Sequence, residues 1–82
     1  MLEKEIERRM AQMAKQRGGL CYKFISTSNP GVPDRILIAP SGRIVFVELK
    51  TETGRLTNIQ KHQISELKKR CVDVRVIKGW TA

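Results

Sequence analysis

Two acidic residues and a lysine have side chains suited to chemistry on a phosphate ester. Asp34 follows a proline, and Glu48 and Lys50 are separated by one apolar residue. Mg²⁺ prefers carboxylate oxygens, and when bound it can polarise a phosphoryl group and lower the pKa of an attacking water. A nearby ammonium would add a compact positive charge for that water or for the phosphate. The three side chains therefore suit metal-assisted hydrolysis, provided that the fold brings them together.

A β-hairpin would bring the two carboxylates together. Residues 34–39 and 43–50 both have strand character, and Pro40-Ser41-Gly42 suits a three-residue loop because glycine accepts the left-handed conformation. In that register Asp34 lies opposite Glu48, and the lysine two residues on projects from the same face. Like charges facing each other destabilise a sheet unless a cation lies between them, so the register predicts a divalent-ion site. An ordinary hairpin end with a surface ion pair is the alternative, but it leaves Asp34 unexplained.

The other elements follow from hydrophobic periodicity and from the residues that interrupt it. Helical spacing predicts helices over 2–17 and 57–70, and residues 20–26 and 72–77 have the character of strands. The predicted order is α-β-β-β-α-β. Both faces of the hairpin are largely apolar, so we expect an α/β fold with a central mixed sheet flanked by helices.

The size and charge of the chain set further limits. Because 82 residues can hold one compact core, residues 1–82 are predicted to form a single domain. Sixteen Lys and Arg against eight Asp and Glu give a formal charge of +8, which favours nucleic acid as the partner. No run is apolar enough to span a membrane and the charged start does not fit a signal peptide, so a cytoplasmic location without a membrane partner is expected. Cys21 and Cys71 lack metal-ligand spacing and are predicted to be small buried hydrophobes, while His62 is predicted to be solvated.

Three motifs, taken in order, resemble one nuclease family. Gly31-Val32-Pro33-Asp34-Arg35, Val47-Glu48-Leu49-Lys50 and a downstream Gln60 resemble the VRR-NUC branch of the PD-(D/E)xK nuclease superfamily, and the likeness covers nearly the whole chain. The resemblance implies a minimal restriction-endonuclease-like core and a metal-dependent DNA endonuclease that uses Mg²⁺, with Mn²⁺ as a substitute. It also implies that Asp34, Glu48 and the backbone carbonyl of Leu49 bind the metal, and that Lys50 and Gln60 are catalytic.

Glu7 and Gln60 each have a second interpretation. The resemblance also implies a catalytic glutamate on the first helix that helps to bind metal or water, and Glu7 is preferred over Glu3 because it lies nearer the apolar stripe and the sheet. A solvated charge on an arginine-rich helix is the other interpretation of Glu7. Gln60 occupies an inward position, where the resemblance implies contact with the scissile phosphate or a metal-bound water. Thr57-Asn58-Ile59-Gln60 also fits a capping box, and the two roles are compatible.

Scattered cations without a base-reading motif indicate phosphate contacts and weak sequence selectivity. The residues predicted to contact DNA are Arg35, Lys23, Arg55 and Lys61. Small phage members of the family resemble Holliday junction resolvases, so the predicted substrate is branched DNA in a phage-infected bacterial host. The alternatives are a nicking or flap endonuclease within a phage replication complex, and a non-catalytic basic nucleic-acid-binding module.

The sequence also bears on assembly. A short chain has a modest core and a four-way junction calls for two coordinated incisions, so we expect a two-fold homodimer. Helix-one residues Ile6, Met10 and Met13 are predicted to supply much of its interface, and Leu56 and Ile59 to add to it.

Overall fold

The computed structural model describes residues 1–80, so the last two residues of the predicted 1–82 domain lie outside the described residues. The elements follow the predicted order: α1 Glu3–Gln16, β1 Leu20–Lys23, β2 Arg35–Ile38, β3 Ile44–Lys50, α2 Asn58–Lys69 and β4 Val74–Lys78. The strands form one sheet in the order β1-β2-β3-β4, antiparallel up to β3 and parallel between β3 and β4. The predicted α/β fold with a mixed sheet is therefore confirmed. Neither helix within residues 1–80 has the length and apolar content needed to cross a bilayer.

Helix α1 packs its apolar side against one face of the sheet. Ile6 and Met10 are fully buried and form the core with Val47 and Leu49 of β3. Met13, further along the helix, is partly buried against the same core. The prediction that Ile6 and Met10 supply a dimer interface is therefore wrong, because the sheet of the same chain already covers them.

The opposite face of the sheet is only partly covered. Helix α2 joins β3 to the parallel strand β4 and buries Ile64, but its contacts with the sheet are to β4. Towards the hairpin loop, Leu20, Tyr22 and Ile44 are each about half exposed. Leu20, Ile38 and Ile44 lie directly across from one another on neighbouring strands, and we call them the distal apolar row. The cover expected on both faces of the hairpin is thus only partial on this face, whereas α1 buries the centre of the other.

The end of α2 explains why β4 begins later than predicted. Cys71 has a φ of 63° and its N–H donates to the Lys68 carbonyl at 3.0 Å, while the Val72 N–H donates to the Leu67 carbonyl at 3.1 Å. This left-handed turn ends the helix. It includes residue 72, which was predicted to begin the strand, so β4 starts only at Val74. Cys71 is exposed there, so its predicted burial is wrong, whereas Cys21 is partly buried on the sheet.

Strand β1 is shorter than the predicted 20–26. It ends at Lys23, although the Phe24 N–H still donates to the Asp34 carbonyl at 2.8 Å. On the partner strand the preceding residue is Pro33, which is buried and has no N–H for a sheet hydrogen bond. Since the Asp34 carbonyl faces β1, the nitrogen of Pro33 faces β3, so it is the β2–β3 pairing that cannot continue past Asp34, which lies at the open end of the hairpin.

Candidate active site

Asp34 and Glu48 face each other across the β2–β3 hairpin, as predicted. The last pair in the ladder is Arg35 with Val47, so the next residues outward, Asp34 and Glu48, lie opposite each other. By the alternation of the ladder this pair is of the type without mutual backbone hydrogen bonds. In such pairs the Cα atoms are about 4.5 Å apart and the side chains approach closely.

The Glu48 carboxyl is buried and forms no ion pair among the residues that the structure describes, 1–80. Glu48 is 6% exposed, whereas the Asp34 side chain is 49% exposed. Burial is the main cause that raises the pKa of Glu48 to about 7, and the Asp34 carboxylate is the second. Lys50 and Arg35 favour the charged form, but their effect is smaller than the opposing ones. A carboxyl pair that holds a proton near neutral pH is short of positive charge, which is the condition that a bound divalent cation satisfies.

Glu48→Gln should stabilise the metal-free protein at alkaline pH and leave its stability in acid unchanged. The pKa of Glu48 is about 7 in the fold against an ordinary 4.5, so the folded state binds this proton more tightly than the unfolded chain does. The stability that it contributes is complete below pH 4.5 and is lost as the pH rises through 7. For the glutamine variant we expect a gain on the order of 2 kcal/mol at pH 8, measured by urea unfolding in EDTA.

Glu66→Gln is the matched control for this measurement. Glu66 lies on the surface of α2, and its hydrogen bond with Lys69 lowers its pKa, so its replacement should give no gain at pH 8. If Glu48→Gln stabilised the protein equally at pH 5 and pH 8, the carboxyl charge would not be the cause.

Lys50 and Lys78 extend the site by one row. In the parallel β3–β4 pair, Glu48 lies opposite Val76 and Lys50 opposite Lys78. Lys50 is partly buried and projects from the same face as Glu48, as predicted, and the exposed Lys78 projects beside it. A strand predicted to end at Ile77 misses Lys78, although the alternation of side chains along β4 would have placed it on this face.

Arg35 lies among the acidic residues and not on an exposed DNA-binding surface. Its guanidinium forms an ion pair with Glu7, and its Nη1 donates to the Asp34 carbonyl at 2.9 Å and lies 3.6 Å from Asp34 Oδ2. The residue is only 5% exposed, so the predicted contact of Arg35 with DNA is wrong. Its guanidinium therefore contacts acidic residues from two elements, Glu7 of α1 and Asp34 before β2.

The two candidate acidic residues of α1 are placed differently. Glu7 forms the ion pair just described, whereas Glu3 is one of the charges that raise the pKa of Glu48. Within residues 1–80, no three acidic, histidine or cysteine side chains are grouped so that they could hold a metal ion. The side-chain donors that the hairpin brings together are therefore Asp34 and Glu48, with the Leu49 backbone directly after Glu48.

Gln60 caps helix α2 beside the segment that carries Asp34. The Gln60 N–H donates to Thr57 Oγ1 at 3.2 Å and the Thr57 N–H donates to Gln60 Oε1 at 2.9 Å, so the predicted capping box is present. Gly31 touches the same turn: its φ is 87°, and a Cβ there would lie 2.8 Å from the Ile59 carbonyl oxygen. Only glycine fits this approach, which brings the start of α2 against the loop before Asp34. Because the cap uses Oε1, the amide Nε2 of Gln60 is the group left to donate to a phosphate or a water.

The other cations predicted to contact DNA lie on the surface. Lys23 is on β1, Arg55 precedes α2 and Lys61 is on α2, and all three are exposed. They are therefore accessible to phosphates. His62, also on α2, is exposed as predicted.

The mixed sheet, with facing carboxylates and a lysine at the open end of its hairpin, defines a small α/β nuclease domain. The VRR-NUC domain model matches residues 2–80, so the chain belongs to the VRR-NUC family, as its motifs predicted. It is 37% identical over 65 residues to "Putative nuclease p44" of Acyrthosiphon pisum secondary endosymbiont phage 1, which covers 79% of this chain and 70% of that protein. A solved structure described as a VRR_NUC domain matches with a TM-score of 0.86 and 29% identity, over 94% of this chain and 83% of that one.

Proposed function

We propose that this chain is a metal-dependent endonuclease that hydrolyses phosphodiester bonds in DNA. The observation that carries the proposal is the pair formed by Asp34 and Glu48, in which a buried carboxyl with a pKa of about 7 faces a second carboxyl. Such a pair suits Mg²⁺, or Mn²⁺ in its place, because these ions take carboxylate oxygens and waters as ligands. Membership of the VRR-NUC family supports the same conclusion.

Asp34, Glu48 and the residues next to them each have a proposed role. Asp34 and Glu48 hold the metal ion together with the Leu49 carbonyl, and the bound ion supplies the polarisation of the phosphoryl group and the activation of a water. Lys50 places its ammonium where negative charge develops on the phosphate. Arg35 is a positioning residue, since its hydrogen bond to the Asp34 carbonyl orients the segment that carries the Asp34 carboxylate.

The neighbouring side chains support this arrangement. Of the two acidic residues of α1, we assign Glu3 to the vicinity of Glu48 and Glu7 to the positioning of Arg35, because the charges are distributed in that way. Gln60 offers its Nε2 to the phosphate or to a water, while its cap holds it in place.

A cleavage assay on linear, flap and four-way-junction DNAs tests the proposal. We expect products with Mg²⁺ and with Mn²⁺, and none with EDTA. Binding of all these DNAs without cleavage in any metal would identify a non-catalytic basic module instead, since the charge of +8 accounts for binding by itself.

We propose branched DNA, including four-way junctions, as the preferred substrate in the cytoplasm of an infected bacterium. The exposed Lys23, Arg55 and Lys61 lie on separate elements, which favours contacts that follow the shape of a phosphate backbone. A clear preference for nicked or flap DNA would favour the alternative function, a nicking or flap endonuclease that acts within a phage replication complex.

We also propose that the chain is a homodimer joined through the distal apolar row. Leu20 and Ile44 are each about half exposed on the partly covered sheet face, on either side of Ile38. Light scattering at micromolar concentration should therefore report about twice the chain mass of 9.4 kDa. Ile44→Lys should report a monomer, because a charge at the centre of an apolar interface is left unpaired, whereas this exposed position tolerates it in a monomer.

Leu2→Lys is the matched control for the dimer. Leu2 is 68% exposed before α1 and the change adds the same charge away from the sheet face, so the dimer should persist. A wild-type monomer that still cleaves DNA would exclude paired incision by a dimer and leave the metal site unaffected.

A further inference from the structure

Phe24 lies in the same row across the sheet as the two carboxylates. Its N–H donates to the Asp34 carbonyl at 2.8 Å, which continues the β1–β2 pairing by one residue. Asp34 in turn lies opposite Glu48, and residues paired in this way project their side chains from one face. Since adjacent strands are about 4.8 Å apart, the ring begins roughly 5 Å from the Asp34 side chain.

The Phe24 ring is held in place without being covered. It packs edge-on against Phe46 with ring centroids 6.2 Å apart and an interplanar angle of 88°. Phe46 precedes Glu48 by two residues on the same face, so it fixes the ring beside the carboxylates. Phe24 is nevertheless 37% exposed, directly after β1, an edge strand of the sheet. A fixed, partly exposed aromatic ring at this place is available to a substrate held by Asp34 and Glu48.

We propose that Phe24 is a stacking platform for an unpaired nucleobase next to the scissile phosphate. Stacking on an aromatic side chain needs a base with a free π face, and the bases inside a continuous duplex have both faces covered by their neighbours. Bases at branch points, flaps and gaps can offer such a face. Phe24 would therefore give the enzyme a preference for DNA structure without reading sequence. This inference rests on the proposed nuclease function and explains how its site selects a substrate.

The test measures binding in EDTA, so that it does not depend on cleavage. Two branched DNAs are compared that differ only at one 2-aminopurine beside the branch, which is unpaired in one and paired with a thymine in the other. Wild-type protein should bind the unpaired form at least about fivefold more tightly and quench its fluorescence, as expected for stacking. Phe24→Leu, which keeps an apolar side chain against Phe46, should bind both DNAs alike and lose the quenching.

Two further variants separate stacking from a structural effect. Phe24→Tyr keeps a π face and should retain the preference and the quenching. Ile25→Ala removes apolar area at the next residue, which is 69% exposed, and should change the preference by less than about twofold. The inference is overturned if wild-type protein shows no preference, or if Phe24→Leu keeps both the preference and the quenching. A retained preference with no metal-dependent cleavage would instead remove the nuclease proposal and leave the platform standing.

Discussion

Asp34→Ala and Glu48→Ala should each abolish metal-dependent cleavage while DNA binding survives or improves. At the proposed site, removal of either carboxylate would leave a bound metal ion with one side-chain donor, since within residues 1–80 no third acidic, histidine or cysteine side chain is grouped with the pair. Loss of the proposed ion would remove several kcal/mol of transition-state stabilisation, so a fall in rate on the order of 10³-fold or more is expected. Binding should not suffer, because each change also removes negative charge that repels the phosphates.

Single-turnover cleavage and a binding titration on the same junction measure these two effects. Glu66→Ala is the matched control, because it also removes an acidic residue but does so on the outer surface of α2. It should cleave at the rate of wild type. Normal turnover by Asp34→Ala or Glu48→Ala would show that the paired carboxylates are not the metal site.

The hairpin register was predictable because local rules determine it. A three-residue loop ending in Gly42, with φ of 88°, leaves one pairing of the apolar strands, and that pairing brings Asp34 opposite Glu48. The capping box of Gln60 was predictable for the same reason, since it involves only residues within one turn of helix.

Features that depend on contacts between distant elements were not predictable. The positive charge of Arg35 suits a contact with DNA. Its burial, however, depends on α1, which covers this face of the sheet and brings Glu7 to the guanidinium. The buried Met10 is similar: periodicity shows that it lies on an apolar stripe, but not whether the stripe meets the sheet or another chain. The positions of Phe24 and Lys78 beside the site could be predicted only from the order of all four strands, because each residue lies on a strand or strand end next to the hairpin.

Lys50→Ala should slow cleavage by on the order of a hundredfold and leave DNA binding within a few-fold of wild type. Lys50 is partly buried next to Glu48, so its charge would act with little solvent screening on groups at the proposed metal site. Lys78→Ala should slow cleavage less than Lys50→Ala. Lys78 lies opposite Lys50 but is exposed, so water screens its ammonium more strongly. Lys50→Arg should retain little activity, since the arginine guanidinium is larger than the lysine ammonium and directs its hydrogen-bond donors differently.

Single-turnover rates at saturating protein distinguish this role of Lys50 from a general contribution of charge to binding. Lys68→Ala is the matched control, because Lys68 is exposed in the last turn of α2 and its removal changes the net charge by the same amount. It should affect only affinity, and only slightly, as one phosphate contact among several would. If Lys50→Ala lost affinity in the same way as Lys68→Ala and kept the wild-type rate, Lys50 would be a surface cation, and Asp34 and Glu48 would act without it. A rate loss that persists when every DNA molecule is bound places the Lys50 charge in the chemical step.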